Sequence, residues 1–228
     1  MKKYWYRLLS TVGLFDFCPA YKGPGTLRGV GVDYNWTGVD WRKGWRTLAK
    51  YGCNATSIEL FMWSTTYDVR QGLNPLKAPY RKLLAEARAH GGTVFVSVCN
   101  DNQGSGKYGD QAPPWSKLNA LATEAIQWLA TLGPEGQIIQ PVSETQSAWG
   151  SSFERWAITF LNQHGFDTVW NHASRPTEPG AGSDRNAYHP FKVNDVGTPC
   201  DIIVTDTGTI LNALVHGGIY GGDFKDDA

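Results

Sequence analysis

The sequence predicts an α/β fold, a compact (β/α)8 TIM barrel with abbreviated C-terminal units. Three observations carry that expectation. Short β-branched runs alternate with helix-length amphipathic segments, the pattern of βαβ units around a parallel sheet. Seven or eight such units can be counted, which is what a closed eight-stranded barrel needs. The first strand ends in GVGVDYNW and is not followed by the GxGxxG turn of a doubly wound dinucleotide-binding sheet, the competing architecture. At 228 residues the chain is short for a barrel of this type, for which about 250 is typical, so the last units are expected to be reduced.

The elements follow in order. Leu27–Trp36 reads as the first strand and Asp40–Tyr51 as a helix closed by Gly52. Ala55–Trp63 is a second strand. Pro79–His90 is a helix stopped by Gly91 and Gly92. Thr93–Asn100 is the third strand, Leu118–Leu132 a helix stopped by Gly133-Pro134, and Gln137–Ser143 the fourth strand. Ser152–His164 is a helix with Ser152 as its cap, and Thr168–Asn171 the fifth strand. Arg175–Asn186 is a loop by its Pro, Gly and Ser content. Ala187–Phe191, Asp201–Thr205 and Gly218–Phe224 complete the strands, with a short helix at Ile210–Val215. Residues 1–228 form a single domain in this reading, with 1–24 an extension that packs on the barrel or extends from it.

Composition excludes several function classes. Lys+Arg and Asp+Glu are both 21, so the basic excess of a general nucleic-acid or anionic-membrane binder is absent. No apolar run approaches the roughly 20 residues of a membrane span. Cys18, Cys53, Cys99 and Cys200 form no CxxC pair and read as buried thiols, not a zinc or redox motif. Arg7 and Asp16 interrupt the apolar stretch after the N-terminal lysines. No cleaved signal peptide is expected from it, and a cytoplasmic or virion- or assembly-associated location is expected over Sec-dependent secretion.

In a barrel, chemistry sits where strands end and loops begin. The predicted ends carry Asp33, Tyr34 and Trp36; Glu59 and Trp63; Asn100 and Asp101; Glu144; Trp170 and His172; Tyr188 and His189; and Asp206. Carboxylates on different strands can serve as acid and base, or acid and nucleophile, in glycosidic cleavage. Indoles stack on the flat apolar faces of sugars, and Trp36, Trp63, Trp149 and Trp170 are the candidate platforms. Asp33, Asn100, Asp101, His172 and His189 are candidate hydroxyl binders, with Tyr34, Glu59 and Tyr188 beside them. Asp33 and Asp101 read equally well as helix caps, whereas Glu144 is a poor cap residue closing an apolar strand. Asp33, His172 and His189 offer donors for a metal-dependent hydrolase, but no HxH or HExxH puts two ligands on one element, so no metal site and no cofactor are expected. No GxSxG elbow is present.

These segments resemble clan A glycoside hydrolases, the cellulase-like barrels of family 5 and relatives. Trp45–Trp63 (WRTLAKYGCNATSIELFMW) is similar to their first helix and second strand, and Leu83–Asn100 to the next unit. Gln137–Gln146 (QIIQPVSETQ) resembles their fourth strand, Ala187–Phe191 (AYHPF) their sixth, and Pro199–Gly208 (PCDIIVTDTG) their seventh. The resemblance implies Glu144 as general acid/base, Asp206 at the nucleophile position, and Tyr188 and His189 lining the cleft. The chain departs from the family at Ser143 (usually Asn), Ser57 (usually Arg) and Asp206 (usually Glu). The shorter Asp permits a retaining enzyme, an inverting one, or a non-catalytic carbohydrate-binding or structural barrel in a larger assembly. A second resemblance, of Gly31–Trp41 (GVDYNWTGVDW) to family 25 lysozymes, implies peptidoglycan as substrate and Asp33 with Glu144 as the working pair, although Val142 stands where that family has Asp. Either way the expected partner is a polysaccharide or peptidoglycan.

Overall fold

Strands buried on both faces read as near-continuous apolar runs, and the middle of this chain supplies three of them. The computed structural model describes residues 29–31, 36–50, 52–61, 72–100, 115–143, 148–172, 185–188, 202–205 and 218–221. Its strands are β1 (Gly29–Gly31), β2 (Ala55–Phe61), β3 (Thr93–Asn100), β4 (Gln137–Ser143), β5 (Asp167–His172), β6 (Arg185–Tyr188), β7 (Ile202–Thr205) and β8 (Gly218–Gly221). Every neighbouring pair is parallel, in chain order, and β8 pairs back onto β1, so the sheet closes. The seven register offsets from β1 to β8 total 182 residues, and the closing pair Gly29–Ile219 spans 190. The ring therefore has a stagger of eight residues, which sets the tilt of its strands.

Helices α1 (Trp41–Lys50), α2 (Asn74–Ala89), α3 (Trp115–Ala130) and α4 (Ala148–Gln163) lie between the first five strands, with a 3-10 turn at Trp36–Gly38 after β1. Ile58, Leu60, Val94, Val96, Val98 and Ile139 share one buried cluster with Trp45, Leu76, Tyr80, Leu83, Leu84, Ala122, Ile126 and Leu129 of the helices. Each fully buried aliphatic side chain there contributes roughly 1.5–3 kcal/mol. Close approach dictates two glycines. A Cβ on Gly29 would lie 2.1 Å from the Ala55 carbonyl oxygen on β2. One on Gly92 would meet the Trp45 ring at 2.3 Å.

Several expected boundaries move. The helix expected at Pro79–His90 begins at Asn74, with Pro79 inside it. Pro79 forfeits one helical hydrogen bond. The buried stripe Leu76, Tyr80, Leu83, Leu84 and Ala87 runs straight through it and outweighs that loss. The helix expected at Ser152 begins at Ala148, so Ser152 is an interior position and not a cap. Arg185 and Asn186, expected in a loop, open β6. Cys99 is buried, its thiol donating to the Pro141 carbonyl at 3.5 Å, whereas Cys53, expected to be buried, is only partly so. Cys18, Cys200, the extension 1–24 and the helix expected at Ile210–Val215 lie outside the described residues.

Candidate active site

Parallel pairing brings the C-terminal ends of all the strands to one end of the ring. Asn100, the last residue of β3, pairs with Ser143, the last of β4. His172, the last of β5, pairs with Tyr188, the last of β6, and Trp170 pairs with Asn186. Four positions singled out by sequence (Asn100, Trp170, His172 and Tyr188) are thus gathered at this end by backbone register. Trp149 lies in the first turn of α4. Asp33, Tyr34, Trp63, Asp101, Glu144, His189 and Asp206 lie outside the described residues. In the chain, Glu144 directly follows β4 and Asp206 directly follows β7.

Below that end, alternation along the strands builds a polar row. Tyr80 of α2 reaches Gln137, so Gln137 and Ile139 face the helices, and Gln140, with Ser97 and Glu59 in register with it, takes the opposite face toward the ring interior. Glu59 pairs with Ser97 in register, and Ser97 with Gln140. The Gln140 amide donates to the Ser97 hydroxyl at 2.9 Å. Glu59 and Gln140 are buried, Gln140 with only 1% exposure. A row of carboxyl, hydroxyl and carboxamide inside a barrel is costly unless hydrogen-bonded, and it gives the interior its hydrogen-bonding capacity. Ser97 and Gln140 did not stand out in the sequence reading. The signal was present: a Gln and a Ser each interrupt an otherwise apolar run, in QIIQPV and VFVSV.

Trp36 departs from expectation. It lies in the 3-10 turn, not at the tip of a strand, and is 4% exposed. Its indole N–H donates to the main-chain oxygen of Glu59 at 3.1 Å, and the main-chain oxygen of Trp36 accepts from the Trp41 indole at 3.0 Å. Its ring meets Tyr80 edge-on, with centroids 6.3 Å apart. With its faces in the core, Trp36 has none to offer a sugar and is not a platform. Tyr80 in turn donates to Gln137 Oε1 at 2.6 Å and packs on Trp128. Burial pushes the Tyr80 hydroxyl far above the usual tyrosine range, against a smaller pull from Arg88. Among the described residues, no group of three or more His, Cys, Asp or Glu side chains is placed to hold a metal ion. No helix among them is long and apolar enough to cross a membrane.

No protein-family model matches the chain, and no curated protein matches it. Solved structures do. The catalytic domain of Thermobifida fusca endoglucanase Cel5A, in complex with cellotetraose, matches with a TM-score of 0.53 and 11% identity over 87% of this chain and 68% of its own. A thermostable, halotolerant GH5 cellulase from an Icelandic hot spring isolate gives 0.53 and 12% over 87% and 65%. A further glycoside hydrolase gives 0.51 and 12% over 72% and 59%. The chain shares the fold of these cellulase and glycoside hydrolase structures. At these identities the likeness is one of fold, and the chain spans between 59% and 68% of the lengths of these three structures.

Proposed function

We propose that the chain is a compact (β/α)8 glycoside hydrolase that cleaves a β-linked polysaccharide, with Glu144 as general acid/base and Asp206 as nucleophile or base. One observation carries this reading: in a ring of the cellulase-like fold, β4 and β7 lead directly into those two carboxyl-bearing residues. Chemistry in (β/α)8 enzymes is housed at this end of the strands. Eight strands in chain order with a stagger of eight support the complete barrel. The cellotetraose complex of the T. fusca endoglucanase makes β-linked glucans the first substrates to try.

Glu144 protonates the leaving glycosidic oxygen. Asp206 attacks the anomeric carbon if the carboxyls stand about 5–5.5 Å apart, and activates water from the opposite face if they stand about 6.5–9.5 Å apart. Asn100, His172 and Tyr188 bind sugar hydroxyls at the rim, and Trp63, Trp149 and Trp170 are the remaining stacking candidates. Asp33, Tyr34, Asp101 and His189 are further rim binders in this reading, and Glu59 with its row forms the floor. No cofactor is required.

The experiment is reducing-end release from a panel of β-glucans, other polysaccharides and purified peptidoglycan, with Glu144→Gln beside the parent. The expected result is cleavage of one glycan by the parent and a roughly 10²–10⁴-fold slower variant whose circular dichroism is unchanged. Cleavage of peptidoglycan alone would favour the lysozyme-like use of Asp33 with Glu144. Binding without cleavage would identify a carbohydrate-binding barrel.

A further inference from the structure

We propose that Trp36 is a positioning residue for Glu59: through its indole hydrogen bond it fixes where the Glu59 carboxyl stands inside the ring. The inference deepens the glycosidase reading, on which its catalytic consequence rests. Its structural part does not depend on that reading.

The pairing of β1 with β2 runs from Gly29–Ala55 to Gly31–Ser57. Two residues further along β2, the main-chain oxygen of Glu59 receives the Trp36 indole N–H at 3.1 Å. A side chain from the segment after β1 thus continues the attachment of that segment to β2. Trp36 is itself held from several sides. Its main-chain oxygen accepts from the Trp41 indole at 3.0 Å and from the Val39 amide at 3.4 Å. Its ring abuts Tyr80, which is locked to β4 through Gln137. A buried donor held by Trp41 of α1 and Tyr80 of α2 cannot swing to follow a wandering strand, so the strand must come to it.

What this anchors is chemically special. Glu59 carries the one charged side chain among the described strand residues of β2, β3 and β4. The side chains in register with it on β3 and β4 are the uncharged Ser97 and Gln140. Small displacements of a buried carboxyl among such neighbours change how strongly its charged form is favoured.

The test is a carboxyl 13C NMR titration of protein labelled at glutamate, with the Glu59 resonance assigned by its loss in Glu59→Gln. Trp36→Phe keeps an aromatic ring but deletes the donor together with the five-membered ring that carries it, a loss of volume that the control must share. Trp45→Phe, a buried indole of α1 with no described hydrogen bond, is the control. The Glu59 midpoint should move by at least about half a pH unit in Trp36→Phe and stay put in Trp45→Phe. No movement in Trp36→Phe, or equal movement in both, overturns the proposal. Should Trp36→Phe fail to fold, the unaltered protein still decides: the Trp36 indole 15N–1H resonance should titrate with the Glu59 midpoint, and its indifference overturns the proposal. Where the parent cleaves a glycan, Trp36→Phe should also lower kcat more than it raises KM and shift the pH profile. A parent that cleaves nothing counts against the hydrolase reading alone, because the NMR result stands without it.

Discussion

Ile139 and Gln140 are neighbours in the chain and live in different worlds. Ile139 packs with helix residues in the main apolar cluster, and Gln140 faces the ring interior, bonded to Ser97. The same contrast holds for Ile58 beside Glu59 and Val96 beside Ser97. The outward face of β2–β4 is mostly aliphatic, as a surface buried under helices should be, and its Gln137 is satisfied by the Tyr80 hydroxyl. The inward face spends part of its area on polar groups that add little to stability. A barrel that needed only to be stable would fill that interior with branched aliphatics. The polar row therefore sets the inward face apart from the outward one, and the difference between the two faces can be tested residue by residue.

The largest stability effect belongs to the outward face. Ile139→Ala removes a fully buried side chain from the cluster and should cost about 2–5 kcal/mol, read from urea unfolding followed by circular dichroism. A loss well under 1 kcal/mol would mean that the helices do not press on β4 as described.

Tyr80→Phe comes next, because Tyr80 joins the helix layer to the sheet. Losing its hydroxyl leaves Gln137 Oε1 without its 2.6 Å donor in a buried site, a cost of about 1–3 kcal/mol. The pH dependence has a definite sign. Burial raises the folded-state pKa of Tyr80 above its unfolded value near 10. The unfolded chain therefore loses its proton first, and the contribution is complete below about pH 10 and lost as pH rises beyond it. Urea midpoints measured from pH 8 to 11 should fall more steeply for the parent than for Tyr80→Phe. Parallel curves would rule out the buried neutral phenol.

What could be read from sequence divides along the same line as the two faces. β3 and β4 have the bounds expected of them, because an apolar run closed by glycines on one side and a polar tip on the other leaves little choice. Helix starts were less legible. Pro79 is a common first-turn residue and Ser152 a good cap, yet burial of Leu76 and of Phe153 depends on partners far away in sequence. Trp36 shows the limit most clearly. Sequence identifies an indole near the end of β1 but cannot tell an exposed platform from a buried rivet, since that is decided by Tyr80 and Glu59, 44 and 23 residues away. The four-residue strands β6, β7 and β8 offer too few alternations to fix their ends. Glu144 and Asp206 were legible as residue types at strand ends, which is as far as a motif reaches without the distance between two carboxyls.

The inward face should respond differently from Ile139. Ser97→Ala alone takes away the oxygen that the Gln140 amide donates to, stranding a buried donor at about 1–3 kcal/mol. Replacing both partners together, Ser97→Ala with Gln140→Leu, removes the demand along with the supply and should bring stability back to within about 1 kcal/mol of the parent. A double-mutant cycle in urea measures this as a favourable coupling between the two sites. Additive losses would show that the row is held by something other than its own hydrogen bond. If the row serves the site, the doubly substituted protein will be stable and yet impaired in glycan binding by isothermal titration calorimetry.

The smallest effect marks the outer edge of the comparison. Lys77 of α2 and Glu124 of α3 lie 3.2 Å apart, bridging the same two helices that Tyr80 and Trp128 join in the core. Glu124 is more than half exposed, so water and salt screen the pair. Lys77 also donates to Asn74 at 3.0 Å and keeps that partner when Glu124 is lost. Glu124→Gln should therefore cost only about 0–1 kcal/mol, and less in 1 M salt than in 50 mM. A larger, salt-independent loss would mean that α2 and α3 lean on their rim as much as on their core. The apolar cluster would then no longer account for the order of effects from Ile139 outward.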